Sequence, residues 1–281
     1  MVEHSKFKKL LPHIFLWLGI IILIFPIYFI FVASSHTSAE ILAAPMPMTI
    51  GPHLAENYRK ALTEGTSNMG TPVFIMIKNS LIMALGISIG KILVSLLAAF
   101  AIVFFDFRLR KFCFWSIFIT LMLPVEVRIM PTYKVIADLH MLNSYAGLIL
   151  PMIVSATAVF LFRQYFMSIP REIPEASQID GASPMQFFGH ILIPMSRTPI
   201  AAMFVIQFIY GWNQYLWPLL ITTKPEFYTL LIGINRMLSG ADVQIEWNIV
   251  MATTLLAMLP PVIVILVMQK QFIAGMTETE K

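Results

Sequence analysis

The chain has 281 residues, of which 58% are hydrophobic and only 12% are charged, with a formal net charge of +4. About a quarter of the residues of an average soluble domain are charged, so this composition excludes a water-soluble protein and predicts a polytopic membrane protein. The basic residues lie at the ends of apolar segments, so the positive charge does not indicate a nucleic-acid partner. The single cysteine, Cys113, excludes an internal disulfide, and the six histidines show no close metal-ligand pair, so no metal site is expected.

Six apolar segments divide the chain, each near or above the ~20 residues that a helix needs to cross a bilayer. They cover about residues 12–34, 73–105, 112–130, 145–167, 199–222 and 248–268. None alternates polar and apolar residues over its length, so a β-barrel is not indicated. The sequence therefore predicts an all-α fold of six transmembrane helices that form one domain over residues 1–281.

The first apolar segment has two possible interpretations. Lys6, Lys8 and Lys9 precede it, as in a signal peptide. Its apolar run from Ile14 to Val32 is as long as a membrane span, and this is longer than the core of a typical signal peptide. We therefore favour an uncleaved first membrane helix over a cleaved signal.

The distribution of basic residues predicts the orientation in the membrane. Eleven lysines and arginines lie on the side that holds both termini, and five lie on the other side. Cytoplasmic loops carry the excess of lysine and arginine. Both termini and the loop at residues 168–198 are therefore predicted to be cytoplasmic. On the other side, the loops at residues 35–72 and 223–247 either face a soluble partner or only connect helices.

The second apolar segment contains Gly86 and Gly90, followed by Lys91. A phosphate-binding loop needs four residues between its glycines and a serine or threonine after the lysine, whereas this chain has three residues and Ile92. The glycines are instead typical of close helix packing. Lys91 would be costly against lipid, so we expect it to face a cavity, a partner or an interface.

Two further polar groups lie within apolar segments. Glu126 and Arg128 lie toward the outer end of the third segment, where they form an interfacial charge pair or where Arg128 lines a pathway for an anionic substrate. Trp212, Asn213 and Gln214 lie in the second half of the fifth segment and belong either to an aromatic belt or to the same pathway.

The cytoplasmic loop at residues 168–198 carries strong local signals. Gly181 after Asp180 ends one helix, and Ser183 as N-cap with Pro184 and Gln186 begins another. These signals predict a helix, a glycine turn and a second helix. Such a unit either docks a soluble partner or packs its apolar face on its own bundle.

This loop resembles the EAA loop of the permease subunits of bacterial ABC importers. The likeness extends to Ile191, Pro194 and Pro199, and Ser177 stands where that family usually has alanine. The resemblance implies that part of the loop couples the permease to an ATPase. The coupling residues that it implies are Glu175, Ala176, Ser177, Asp180, Gly181, Ala182 and Phe187.

The resemblance covers nearly the whole chain. Residues 119–128, 160–164 and 208–218 are similar to permeases of sn-glycerol-3-phosphate importers in the maltose-transporter-like group. This implies a non-catalytic inner-membrane subunit that translocates sn-glycerol-3-phosphate, with glycerophosphodiesters as further candidates. A sugar or oligosaccharide importer, a stand-alone secondary transporter and a non-transporting scaffold are the alternatives.

The family resemblance also implies the partners. They are a second, non-identical permease, a dimer of ATPase subunits, a periplasmic or lipid-anchored solute-binding protein, and the lipid bilayer. ATP and Mg²⁺ are expected in the ATPase subunits, and no cofactor is expected in this chain.

Overall fold

A computed structural model describes the backbone of residues 6–67, 69–120, 123–239 and 244–277. It describes side chains over the same ranges except residues 6–11, 125–126 and 271–277. Every regular element within these ranges is helical, which confirms the prediction of an all-helical fold.

The longest helices coincide with predicted apolar segments. The α-helices are α1 (Lys6–Ala33), α2 (Ser38–Leu42), α3 (Leu54–Thr63), α4 (Val73–Phe104), α5 (Arg110–Ile119), α6 (Val125–Asp138), α7 (Tyr145–Ile149), α8 (Ala156–Met167), α9 (Glu172–Ile179), α10 (Pro184–Gln186), α11 (Ile193–Met195), α12 (Arg197–Trp212), α13 (Leu216–Ile221), α14 (Leu230–Leu238) and α15 (Trp247–Thr277). Short 3₁₀ helices lie at Leu150–Met152 and Pro225–Phe227, and a π-helix at Phe187–Leu192 joins α10 to α11.

Several predicted segments are interrupted. Within the described residues, three helices are long and apolar enough to span a membrane, and two bent helix pairs raise that number to five if each pair is one span. The segment at 145–167 bends by 49° between Met152 and Ala156. The segment at 199–222 breaks between α12 and α13, and the segment at 112–130 includes residues 121–122, which lie outside the described range.

The chain forms two units. The first comprises residues 1–76 and 233–259, and the buried side chain of Asn57 links its helices through hydrogen bonds. The side-chain amide of Asn57 donates to the backbone oxygens of Ser34 and His36, both at 2.9 Å. Its oxygen accepts from Asn248, whose own oxygen accepts from Ser38. These bonds tie α3 to the start of α15 and to the end of α1.

The second unit, residues 77–232 and 260–281, packs closely along α4. A Cβ atom added to Gly86 would lie 2.6 Å from Ile149 Cδ1, and one added to Gly90 would lie 2.5 Å from Ile153 Cγ2. Real Cβ atoms do not approach other atoms so closely, so a larger residue at either position would require Ile149 or Ile153 to shift. The close packing predicted for these glycines is confirmed.

Candidate functional site

A cavity of about 490 Å³ lies within the second unit and includes two of the predicted pathway residues, Lys91 and Arg128. Lys91 comes from α4 and Arg128 from α6. Gln207 and Tyr210 of α12 and Trp217 of α13 also line the cavity. Its volume falls within the ~300–1,000 Å³ that is usual for small-molecule sites.

Lys91 is buried in the wall of this cavity and is 6% exposed. Its Nζ donates to Gln207 Oε1 at 3.1 Å and lies 3.6 Å from the centroid of the Tyr210 ring. An amide oxygen and an aromatic face both attract a cation without carrying a net negative charge. Both partners therefore hold the ammonium group without neutralising its charge.

The charge balance of the cavity favours an anion. The described side chains that line it include two cations, Lys91 and Arg128, and no carboxylate. Glu126 lies one turn before Ile129 on α6, but its side chain falls outside the described range. A buried cation without an anion beside it is costly, so an anionic ligand would be stabilised in this cavity.

The break before α8 adds a further positive element. Val154, Ser155, Ala156 and Thr157 line the cavity, so the first turn of α8 faces it. Ser155 Oγ caps the helix by accepting from the Ala158 amide at 3.2 Å. The amides nearer the helix start carry the positive end of the helix dipole, which attracts anions.

Trp212, Asn213 and Gln214, which were also predicted for the pathway, are not among the described residues that line the cavity. Trp212 is buried and stacks on Phe208 with ring centroids 6.0 Å apart. Asn213 is exposed at the end of α12, and the Gln214 side chain donates to the Tyr210 backbone oxygen at 3.1 Å. The α12 residues that line the cavity are Gln207 and Tyr210, one turn earlier.

The loop at 168–198 has the predicted helix–glycine–helix form. Gly181 has φ of +79°, a backbone conformation that glycine adopts without strain. Ser183 Oγ accepts from the Gln186 amide, and Gln186 Oε1 accepts from the Ser183 amide. This reciprocal pair is the predicted capping box, which is confirmed.

The turn between the two loop helices is exposed. Glu175, Ala176, Asp180 and Gly181 are all exposed, and Ala182 is half-buried. Ile179 beside them is an apolar side chain that is 86% exposed. The turn and Ile179 are therefore accessible to solvent or to a partner.

Other residues of the loop pack inward. Phe187 is buried, and its ring centroid lies 5.2 Å from that of Phe104 and 6.4 Å from that of Phe100, both on α4. Tyr165 of α8 donates to the Met195 backbone oxygen at 2.7 Å. The loop is therefore fastened to α4 and α8.

Ser177 differs from the other predicted coupling residues. It is 5% exposed, and its hydroxyl has no hydrogen-bond partner among the described residues. A buried hydroxyl without a partner costs about 1–3 kcal/mol. Of the predicted coupling residues, Ser177 and Phe187 face inward.

Gln207 and Tyr210 were not among the named pathway residues, although the sequence holds a signal for both. They lie three residues apart on an apolar helix and therefore share one face. A glutamine within a membrane span usually faces other helices or a cavity. What the sequence could not show is that this face meets Lys91, which lies 116 residues earlier.

Comparison with known proteins gives a consistent picture. Residues 91–278 match the family described as binding-protein-dependent transport system inner membrane component. The chain is 53% identical to proteins named sn-glycerol-3-phosphate transport system permease protein UgpE from Brucella melitensis and Rhizobium meliloti, over 100% of both chains. It is 52% identical to the protein of that name from Escherichia coli, again over 100% of both chains.

One solved structure shares the fold. It is described as a bacterial ABC transporter involved in the import of the acidic polysaccharide alginate. The match has a TM-score of 0.81 and covers 97% of this chain and 99% of the other, at 20% identity.

Proposed function

The chain belongs to the family of inner membrane components of binding-protein-dependent transport systems, the permeases of ABC importers, and we propose that its cargo is sn-glycerol-3-phosphate. The observation that carries this proposal is the cavity that holds Lys91 and Arg128 without a described carboxylate. The names of relatives that are 52–53% identical over their whole length support it. A phosphate monoester carries up to two negative charges, which two cations and a helix N-terminus would stabilise.

We further propose that the loop at 168–198 is the EAA coupling loop and docks on an ATPase subunit. The exposed turn at Gly181 and the inward packing of Phe187 support this role. A short helix fastened to α4 and α8 transmits a rigid-body movement to the helices that line the cavity. The catalytic chemistry then belongs to the ATPase dimer, which binds ATP and Mg²⁺.

The proposed assembly has six transmembrane spans in this chain and both termini in the cytoplasm. The excess of basic residues on the side of the termini supports this orientation. The bent pair at residues 145–167, the segment at 199–222 with α12 and α13, and the segment at 112–130 would supply the three spans that are not single continuous helices. A second permease, an ATPase dimer and a solute-binding protein complete the importer.

The test is uptake by the complete importer reconstituted in vesicles. We expect labelled sn-glycerol-3-phosphate to accumulate only when ATP is present, and an excess of unlabelled glycerophosphocholine to compete if diesters are also cargo. Maltose should not compete. Uptake of maltose in place of sn-glycerol-3-phosphate would indicate a sugar importer, and uptake without ATP would indicate a secondary transporter.

A further inference from the structure

The geometry points to Gln207 as the residue that makes the cavity selective for anionic cargo, because it binds Lys91 without neutralising it. This inference rests on the proposed function, and it concerns a position that the sequence motifs do not include. Gln207 is 7% exposed and lies on α12, opposite Lys91 on α4.

The first step is the identity of the acceptor. Lys91 Nζ donates to Gln207 Oε1 at 3.1 Å. Glutamate has the same size and shape as glutamine, so a carboxylate would fit at this position without repacking. The difference between the two residues is therefore one negative charge beside a buried ammonium group.

The second step is the fixed orientation of the amide. Gln207 Nε2 donates to the sulfur of Met203 at 3.3 Å, one turn earlier on the same helix. With the amide nitrogen directed to the sulfur, the amide oxygen is directed to Lys91. The ring of Tyr210, 3.6 Å from Lys91 Nζ, contacts the same ammonium group.

The third step is the consequence for the cargo. Neutral partners hold Lys91 in place, so these two contacts leave its positive charge available to an anion in the cavity. A carboxylate at position 207 would form a buried ion pair with Lys91 and would also repel the phosphate. Arg128, which is exposed, would then be the only described cation of the cavity lining that remains unpaired.

The experiment compares three variants in the complete reconstituted importer. Gln207→Glu adds the charge at constant shape. Gln207→Met keeps the size, removes the hydrogen bond and adds no charge. The double variant Lys91→Gln with Gln207→Lys moves the cation from α4 to α12 across the same contact. Uptake of labelled sn-glycerol-3-phosphate, ATP hydrolysis and the amount of assembled complex are measured for each.

We expect Gln207→Glu to lower uptake about tenfold or more, and Gln207→Met to lower it about threefold or less. We expect the exchanged pair to recover at least about a third of wild-type uptake, because it restores one uncompensated cation. Equal losses in Gln207→Glu and Gln207→Met would overturn the inference and assign Gln207 a packing role. Wild-type uptake by Gln207→Glu would also overturn it.

Two further outcomes are distinguishable. If the complex with Gln207→Glu does not assemble, uptake by the exchanged pair (Lys91→Gln with Gln207→Lys) tests the inference. An exchanged pair that assembles but does not transport would contradict it. If the wild-type importer takes up no sn-glycerol-3-phosphate, the proposed function fails instead. In that case the same variants are compared with the cargo that the wild type does transport, and an uncharged cargo would contradict the role of Gln207.

Discussion

The cavity around Lys91 and the loop around Gly181 are built in opposite ways. The loop is held by bonds between near neighbours, such as the Ala182 amide to the Ser177 oxygen at 3.0 Å and the capping box at Ser183. The cavity is held by contacts between distant residues, such as Lys91 with Gln207, 116 positions apart. The loop is therefore specified locally, whereas the cavity exists only after the helices have packed.

The two regions nevertheless share one apolar core. Phe187 and Leu192 of the loop belong to the same buried cluster as Met203 of α12. Met203 also accepts a hydrogen bond from Gln207 at the cavity. Packed side chains therefore connect the loop continuously to Gln207 and Lys91. The comparison predicts that substitutions in the exposed turn abolish transport without loss of the fold, and that substitutions in the cavity alter the handling of cargo.

The largest expected effect is that of Gly181→Asp. At φ of +79° a side chain costs about 1 kcal/mol, and the space around Gly181 is open, so the chain should remain in the membrane. The added carboxylate lies on the surface proposed to dock the ATPase. We expect uptake close to background and loss of ATPase co-purification.

Gly70→Asp is the matched control for that variant. Gly70 also has a positive φ, +57°, and open space around it, but it lies in the first unit. The backbone strain is thus similar, and the proposed docking surface is unchanged. Equal loss of uptake in the two variants would contradict a specific coupling role for Gly181.

Lys91→Met should have the next largest effect. Methionine fills a similar volume without charge, so the helix packing should persist. Because a hydrogen bond to a charged group contributes about 1.5–3 kcal/mol, uptake of sn-glycerol-3-phosphate should fall about tenfold or more. Initial rates at several substrate concentrations measure the effect.

Lys78→Met is the control, because Lys78 lies on the same helix with an exposed side chain. It should retain uptake close to that of the wild type. Near-normal uptake by Lys91→Met would show that Lys91 does not act on the substrate and only takes part in helix packing.

The sequence predicted the loop more completely than the cavity, and the reason is physical. Serine caps, a glycine stop and proline at the first helical turn act over a few residues, so Ser183, Pro184 and Gly181 could be interpreted without a structure. The inward position of Lys91 followed from the cost of a charge in lipid. Its partners did not, since they depend on how α4 and α12 cross.

Helix interruptions were the other feature that the sequence concealed. Residues 145–167 have the composition of one span, yet the chain bends by 49° near Ser155. The break follows a short 3₁₀ turn that contains Pro151, and Ser155 then caps α8. Hydropathy averages over such a break, because most of the flanking residues are apolar.

Ala156→Pro tests that break and should have a moderate effect. Ala156 is the first residue of α8, where proline suits the helix, and Ser155 has the extended backbone (φ −145°, ψ 106°) that a residue before proline prefers. The substitution removes one amide donor at the cavity with little cost to folding. Since such a contribution is about 0.3–1 kcal/mol, uptake should fall about two- to fivefold.

Ala156→Gly keeps the amide and serves as the comparison for the proline variant. It should transport at close to the wild-type rate, with a slightly lower thermal midpoint. Unchanged uptake by Ala156→Pro would show that the first turn of α8 lines the cavity without acting on the cargo.

Ser177→Ala should have the smallest effect on transport and should raise stability. The Ser177 hydroxyl is buried and has no partner among the described residues, so its removal should stabilise the purified complex by about 1 kcal/mol, measured as a higher thermal midpoint. Ser196→Ala is the matched variant in the same loop, because Ser196 is equally buried but donates to the Leu192 oxygen at 2.6 Å. It should lower the midpoint or leave it unchanged.

A lower midpoint for Ser177→Ala that appears only with the ATPase bound would contradict this expectation. It would mean that the Ser177 hydroxyl forms a hydrogen bond with the ATPase, and this would make Ser177 a direct contact of the coupling loop.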